Sequence, residues 1–147
     1  MNPHALLALL AGAAIATQAS MNARLGVLLQ SSLSATAIAF GMSCLFTLTV
    51  LALVGQHHPG WQAARAVPFY LWFSGGMLAA TGVGLFYFLI PKMGIGPMMS
   101  FALTGQLLIA VISSHFGWFE LPLKPFTMTR LFGVAALVVG TVLINRD

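Results

Sequence analysis

The chain has 147 residues, of which 59% are apolar and only 5% charged, with six Lys/Arg, two Asp/Glu and a formal net charge of +4. Soluble domains run at about 45–50% apolar and about 25% charged, so this composition excludes a soluble enzyme, a disordered chain and a small secreted scaffold. A pI near 10.0 with mean hydropathy +0.96 is no nucleic-acid signature either, because the cations stand singly at segment ends and nowhere cluster to neutralise phosphates.

What remains is an integral membrane protein, read as one transmembrane domain over residues 1–147. A crossing helix needs about 20 mostly apolar residues. The uncharged runs predict five: about Ala5–Asn22, Ser34–Val54, Phe69–Ile90, Ile95–His115 and Thr127–Ile144. Lipid-facing backbone must bond internally, and the runs lack the period-two alternation of a membrane barrel. The expected fold class is therefore all-α, a polytopic helix bundle.

The first run also resembles the h-region of a secretory leader, from Ala5 to Ala16 before Thr17-Gln18-Ala19. Only His4 precedes it, with no Lys or Arg, so it is read as a retained span. Gln18 and Asn22 lie one helical turn apart in it. Such amides either bridge helices or line a solute cavity, where carbonyl and NH₂ groups can meet uncharged or zwitterionic solutes. Arg24 follows at the span's end as a candidate attractor for an anionic group.

In the second span Thr36, Ser43 and Thr47 align, and Cys44, the single cysteine, allows no intrachain disulfide. Hydroxyls of this kind usually bond back to their own helix. Gln56-His57-His58-Pro59-Gly60 opens the longest connection. Its adjacent histidines lack a third ligand nearby, so no metal is expected.

The third span carries Ser74, Thr81 and Phe88 along one stripe, with Trp72 and Tyr87 near opposite ends. Trp72 and Tyr87 read first as aromatic-belt residues and second as surfaces for stacking a planar or cationic substrate. Tyr70, Trp61 and Trp118 are expected at the interfaces too. Gly75-Gly76 and Gly82-x-Gly84 make this helix pliable, as Gly12 does the first, and Pro91-Lys92-Met93-Gly94 predicts a tight reversal. In the fourth span Gln106 sits centrally, with Ser113 seven residues on and Ala102 and Ala110 keeping the face narrow. A glutamine at that depth is hard to leave facing lipid, which makes it the strongest single pathway candidate. His115 and Glu120 at the mouth form a candidate pH-sensitive pair or are ordinary loop residues.

Five spans would put Arg65, Lys124 and Arg130 on one side and Arg24, Lys92 and Arg146 on the other. Three against three removes the Lys/Arg bias that normally orients a chain. Either other cues decide, or the chain inserts both ways up and two copies pair antiparallel, making from one gene product the inverted repeat common in transporters.

The polar and glycine positions also form a recognisable series. Gln18-x-x-x-Asn22-x-x-Leu25-Gly26 is followed by Pro91-Lys92-x-Gly94, Gly105-Gln106-Leu107-Leu108, His115-Phe116-Gly117, Arg130-Leu131-x-Gly133 and Gly140. In order and spacing, over essentially the whole chain, they resemble the short five-span YdcZ-type members of the drug/metabolite transporter superfamily, relatives of the small multidrug resistance proteins. The resemblance implies an antiparallel homodimer in the inner membrane, with the last span as dimer contact through Gly133, Ala136 and Gly140. Where such relatives carry acids, this chain has Ser114 before His115-Phe116-Gly117 and no acid in any span.

The expectation is a secondary transporter, an exporter of small organic solutes by alternating access. Its substrate pathway would include Gln18, Asn22, Trp72, Thr81, Tyr87, Gln106 and Ser113. Without a buried counter-charge, a neutral, zwitterionic or weakly charged solute is favoured. No cofactor and no catalytic residue is expected, the chain is not read as an enzyme, and its partners are lipid, a second copy and the solute. The competing reading is a non-transporting accessory subunit packed against a larger membrane protein.

Overall fold

A computed structural model describes residues 2–55, 60–120 and 123–146, with Glu120 described by its backbone alone. Among them the chain is helical without strands: α1 (Pro3–Leu28), α2 (Ser32–Val54), α3 (Trp61–Ala66), a 3-10 turn at Phe69–Trp72, α4 (Ser74–Met93), α5 (Ile95–Phe116), a second 3-10 turn at Trp118–Glu120, and α6 (Met128–Ile144). These elements form two compact units, Met1–Lys92 and Met93–Asp147.

Both units are built inside out relative to a soluble protein. In the first, small residues are buried: Ala19, Ala23 and Gly26 on α1 against Ala35 and Thr36 on α2. Most large side chains face outward, with Leu53 81% and Phe46 72% exposed. Lipid tails are as apolar as leucine, so hydrophobicity gives no reason to turn these chains inward. Helices instead associate where small residues let backbones approach. A Cβ on Gly26 would lie 3.3 Å from the Ser32 Cα and 3.5 Å from the Ala35 Cβ.

Four helical segments are long and apolar enough to cross a membrane: Pro3–Leu28, Ser32–Val54, Phe69–Met93 and Ile95–Phe116. The expected fifth, Met128–Ile144, has 17 residues. At 1.5 Å per residue it spans about 26 Å, short of the roughly 30 Å hydrocarbon layer.

Two boundaries differ from the sequence reading. α1 continues past Asn22 and Arg24 to Leu28, because an exposed arginine does not interrupt a helix. The chain turns only at Leu29-Gln30-Ser31, where the Ser31 N–H donates to the Gly26 carbonyl (2.9 Å) and the Ser31 hydroxyl accepts from the Ser34 N–H (3.1 Å). Nor does Pro91 end the preceding helix, since α4 runs through it to Met93. Proline removes one amide, the one that would have bonded to the Tyr87 carbonyl, and a last turn tolerates that loss. The break falls on Gly94, whose φ of 85° suits a residue without Cβ.

In the second unit α5 and α6 are zipped by a polar seam. The Thr104 and Thr141 hydroxyls are 2.6 Å apart, and Asn145 donates to the Ser100 Oγ at 2.8 Å. Replacing Thr141 by valine keeps the shape and removes its hydroxyl's bonds with the Thr104 hydroxyl and the Ser100 carbonyl, leaving the Asn145–Ser100 bond. The loss should be about 0.6 kcal/mol and at most about 1.7 kcal/mol, the range for interhelical hydrogen bonds in membrane proteins. Reversible unfolding in detergent measures it; an unchanged midpoint would show that the seam contributes nothing.

Candidate functional site

The polar centre of the first unit is assembled by α1 and α4. Gln18 and Asn22 lie on one face of α1, four residues apart, so their amides stack. The Asn22 Nδ2 donates to the Gln18 Oε1 at 2.8 Å. It also donates to the Tyr87 Oη at 3.0 Å, and that hydroxyl donates to the Gln18 Oε1 at 3.0 Å. The three groups close a triangle in which every bond has one donor and one acceptor.

Tyr87 is 2% exposed, the largest fully buried side chain in the described residues. It is therefore not the lipid-facing belt residue that its position near a span end suggested. Gly84, one turn earlier on α4, explains how the ring gets there. A Cβ at that position would stand 3.3 Å from the Thr36 Oγ1, so its absence lets α4 meet α2 at this level.

The triangle borders a hollow of about 390 Å³, walled by Ile38, Phe40, Met42 and Ser43 of α2 and Val83 of α4. That volume lies within the range of small-molecule sites, about 300–1,000 Å³. Counting bonds shows what the hollow can offer. Both hydrogens of the Asn22 amide are used, the Gln18 carbonyl accepts twice, and the tyrosine both gives and takes. The Gln18 NH₂ and the Asn22 carbonyl remain, a donor and an acceptor side by side. No charged side chain lines the hollow among the described residues.

The remaining sequence candidates fall elsewhere. Trp72 sits on the Phe69–Trp72 turn, 58% exposed, and Thr81 is exposed on α4 with its hydroxyl donated to the Met77 carbonyl (2.9 Å). Neither borders the hollow. Thr36 and Thr47 return their hydroxyls to the Ser32 and Ser43 carbonyls in the same way (2.8 Å each). Arg24 is exposed outside the hollow. In the second unit Gln106 is exposed and Ser113 buried, although seven residues place them on one face of α5. Gly133 and Ala136 are exposed and Gly140 is half-buried, and a Cβ on either glycine would meet nothing within 4 Å.

His115 is held by its own surroundings. Its Nδ1 accepts from the Phe126 N–H at 3.3 Å, and the rings of Phe116 and Phe126 flank it at 5.0 and 4.6 Å. Any pairing with Glu120 lies outside the described side chains, and His57-His58 lies outside the described residues. Among the described residues no three His, Cys, Asp or Glu side chains come together.

Two polar groupings escaped the sequence reading. The Ser100, Thr104, Thr141 and Asn145 seam was visible only as two four-residue spacings, Ser100/Thr104 and Thr141/Asn145. The partnership of Tyr87 with the α1 amides left no local signal apart from Gly84 three residues before it. In comparison with known proteins, a family model described as "Putative inner membrane exporter, YdcZ" matches residues 4–143. No curated protein and no solved structure matches the chain.

Proposed function

The chain belongs to the DMT_YdcZ family, and from that premise we propose that it exports small neutral or zwitterionic organic solutes by alternating access, with two five-span copies antiparallel in the bilayer. It is a multi-pass transport protein of the inner membrane, as the family and its four long apolar helices both indicate. The observation that carries the finer reading is the unspent donor and acceptor of Gln18 and Asn22 facing an uncharged hollow. A cation would require an opposing acid there, whereas a carboxamide, hydroxyl or amino-acid-like solute matches the pair as it stands.

In this reading one transmembrane domain includes α6 as a fifth span. A helix a few ångströms short is accommodated by local thinning and by flanking cations reaching to the interface, here Arg130 and Arg146. The small residues Gly133 and Ala136, both exposed, and the half-buried Gly140 suit close approach by a second copy. Gln106, exposed at mid-helix on α5, is kept as a substrate-pathway residue in this proposal, as are Ser113, Trp72 and Thr81, although none of the four lines the hollow of the first unit.

The test is solute flux through purified protein in liposomes, over a panel of neutral, zwitterionic, cationic and anionic solutes, with and without a pH gradient. Neutral or zwitterionic solutes should move and strongly cationic ones should not; a panel that moves only cations would sink the substrate assignment. Replacing Gln106 by alanine should lower flux about tenfold, the effect of one lost polar contact to the solute of roughly 1.4 kcal/mol. Full flux in a folded Gln106→Ala protein removes that residue from the pathway. Single cysteines introduced at residues 30 and 146 in a Cys44→Ser background should each be labelled from both sides of intact cells. Labelling from one side only would support the accessory-subunit reading instead.

A further inference from the structure

The second unit holds a different hollow, of about 400 Å³, between α5 and α6. Its floor is apolar, made by Leu107, Ala110 and Val111 on α5 and Gly133, Val134 and Leu137 on α6. At the loop end of the hairpin its lining changes to Ser114, Lys124 and Arg130. We propose that this hollow binds an anionic phospholipid, with an acyl chain along the floor and the phosphate on Lys124 and Arg130.

The two cations are held at that end by backbone bonds. The Lys124 N–H donates to the Ser114 carbonyl at 2.9 Å, which ties the incoming loop to the end of α5. The Arg130 Nη1 donates to the Lys124 carbonyl at 2.9 Å and to the Pro125 carbonyl at 3.3 Å, and the Thr127 Oγ1 caps the Arg130 N–H at 3.3 Å. This arrangement leaves the guanidinium its Nε and Nη2 hydrogens and leaves the Lys124 ammonium free of any bond among the described residues. A phosphate can take both. Among the described residues that line the hollow, Lys124 and Arg130 carry the only charges, and they stand above an apolar trough.

Charge and shape together select the occupant. A free phosphate would satisfy the cations and leave the trough empty, and a neutral lipid would fill the trough and leave the cations unmatched. A second copy of this chain, with six cations and two acids, is a poor complement for paired cations. Of the small residues Gly133, Ala136 and Gly140 on α6, only Gly133 lines this hollow. Basic pockets between membrane helices are a recurrent way of holding anionic headgroups. The trough is open at Gly133, where a Cβ would meet nothing within 4 Å, so a bulky side chain placed there would occupy it.

Native mass spectrometry of the full-length protein, released from micelles containing equal amounts of dioleoyl phosphatidylglycerol and dioleoyl phosphatidylcholine, tests the assignment. The wild type should retain one phosphatidylglycerol in preference to phosphatidylcholine. Lys124→Gln should lower that preference about fivefold, the weight of one basic side chain beside an anionic headgroup. Among the described residues only the backbone of Lys124 is bonded, and this variant leaves those bonds in place. Gly133→Leu should abolish retention with both cations in place, and inorganic phosphate should not displace the lipid. Equal retention of the two lipids by the wild type, or an unchanged preference in folded Lys124→Gln, overturns the proposal. So does displacement by inorganic phosphate, which would assign an anion site alone. A Gly133→Leu protein that changes its oligomeric state but keeps the lipid also overturns it, by giving the trough to a second copy.

Discussion

Replacement of Asn22 by leucine, which has nearly the same shape, is expected to lower solute flux at least tenfold while the protein stays folded. Asn22 supplies two of the three bonds in the triangle and the triangle's one uncommitted carbonyl at the hollow. Losing a polar contact in a dry site costs about 1–3 kcal/mol, hence about tenfold to a hundredfold in transport. The structural cost is smaller. Interhelical bonds in membranes contribute about 0.6 kcal/mol each, and the Tyr87 hydroxyl still donates to the Gln18 Oε1 in the variant. Tyr87→Phe separates contact from positioning, because it removes the hydroxyl but leaves the Gln18 NH₂ and the Asn22 carbonyl in place. It should therefore affect flux less than Asn22→Leu does, and mainly through the apparent affinity. Liposome flux with circular dichroism as the folding control measures both. If Tyr87→Phe is the more damaging, the tyrosine hydroxyl is the solute contact and the amides only hold it.

Gly26→Leu is expected to destabilise the first unit by about 1–3 kcal/mol, the usual cost of overpacking. The first carbon added already stands 3.3 Å from the Ser32 Cα, which is backbone and cannot rotate away, and three more carbons must follow it. Removing a glycine from a helix gains about 1 kcal/mol in propensity, so the observed loss is net of that gain. Gly12→Leu on the same helix is the control. A Cβ there meets nothing within 4 Å, so only the gain should appear. Thermal or denaturant unfolding in detergent compares the pair. Equal midpoints would mean that the α1–α2 seam is not closely packed. Because α2 carries Ile38, Phe40 and Ser43 along the hollow, pushing it from α1 should also depress flux.

Composition and hydropathy were enough to establish a membrane protein, its helical class, the approximate positions of its apolar segments and, through the ordered motifs, its family. Those properties are one-dimensional. An uncharged run of about 20 residues must lie in hydrocarbon and must be helical, whatever its neighbours are. Gln18 and Asn22 were legible as a pair for the same reason, since a four-residue spacing stacks side chains on any helix. The lateral arrangement was not legible. α1 and α2 are apolar nearly all the way round, so no amphipathic face announces which side meets a partner. Pairing in lipid rests on where small residues and hydroxyls coincide between helices distant in sequence. Tyr87 reaches Asn22 across 65 positions, and Thr104 reaches Thr141 across 37. The burial of Tyr87, the passage of α4 through Pro91, the seam at Ser100 and Asn145, and the cationic mouth at Lys124 and Arg130 therefore emerged only when the helices stood side by side.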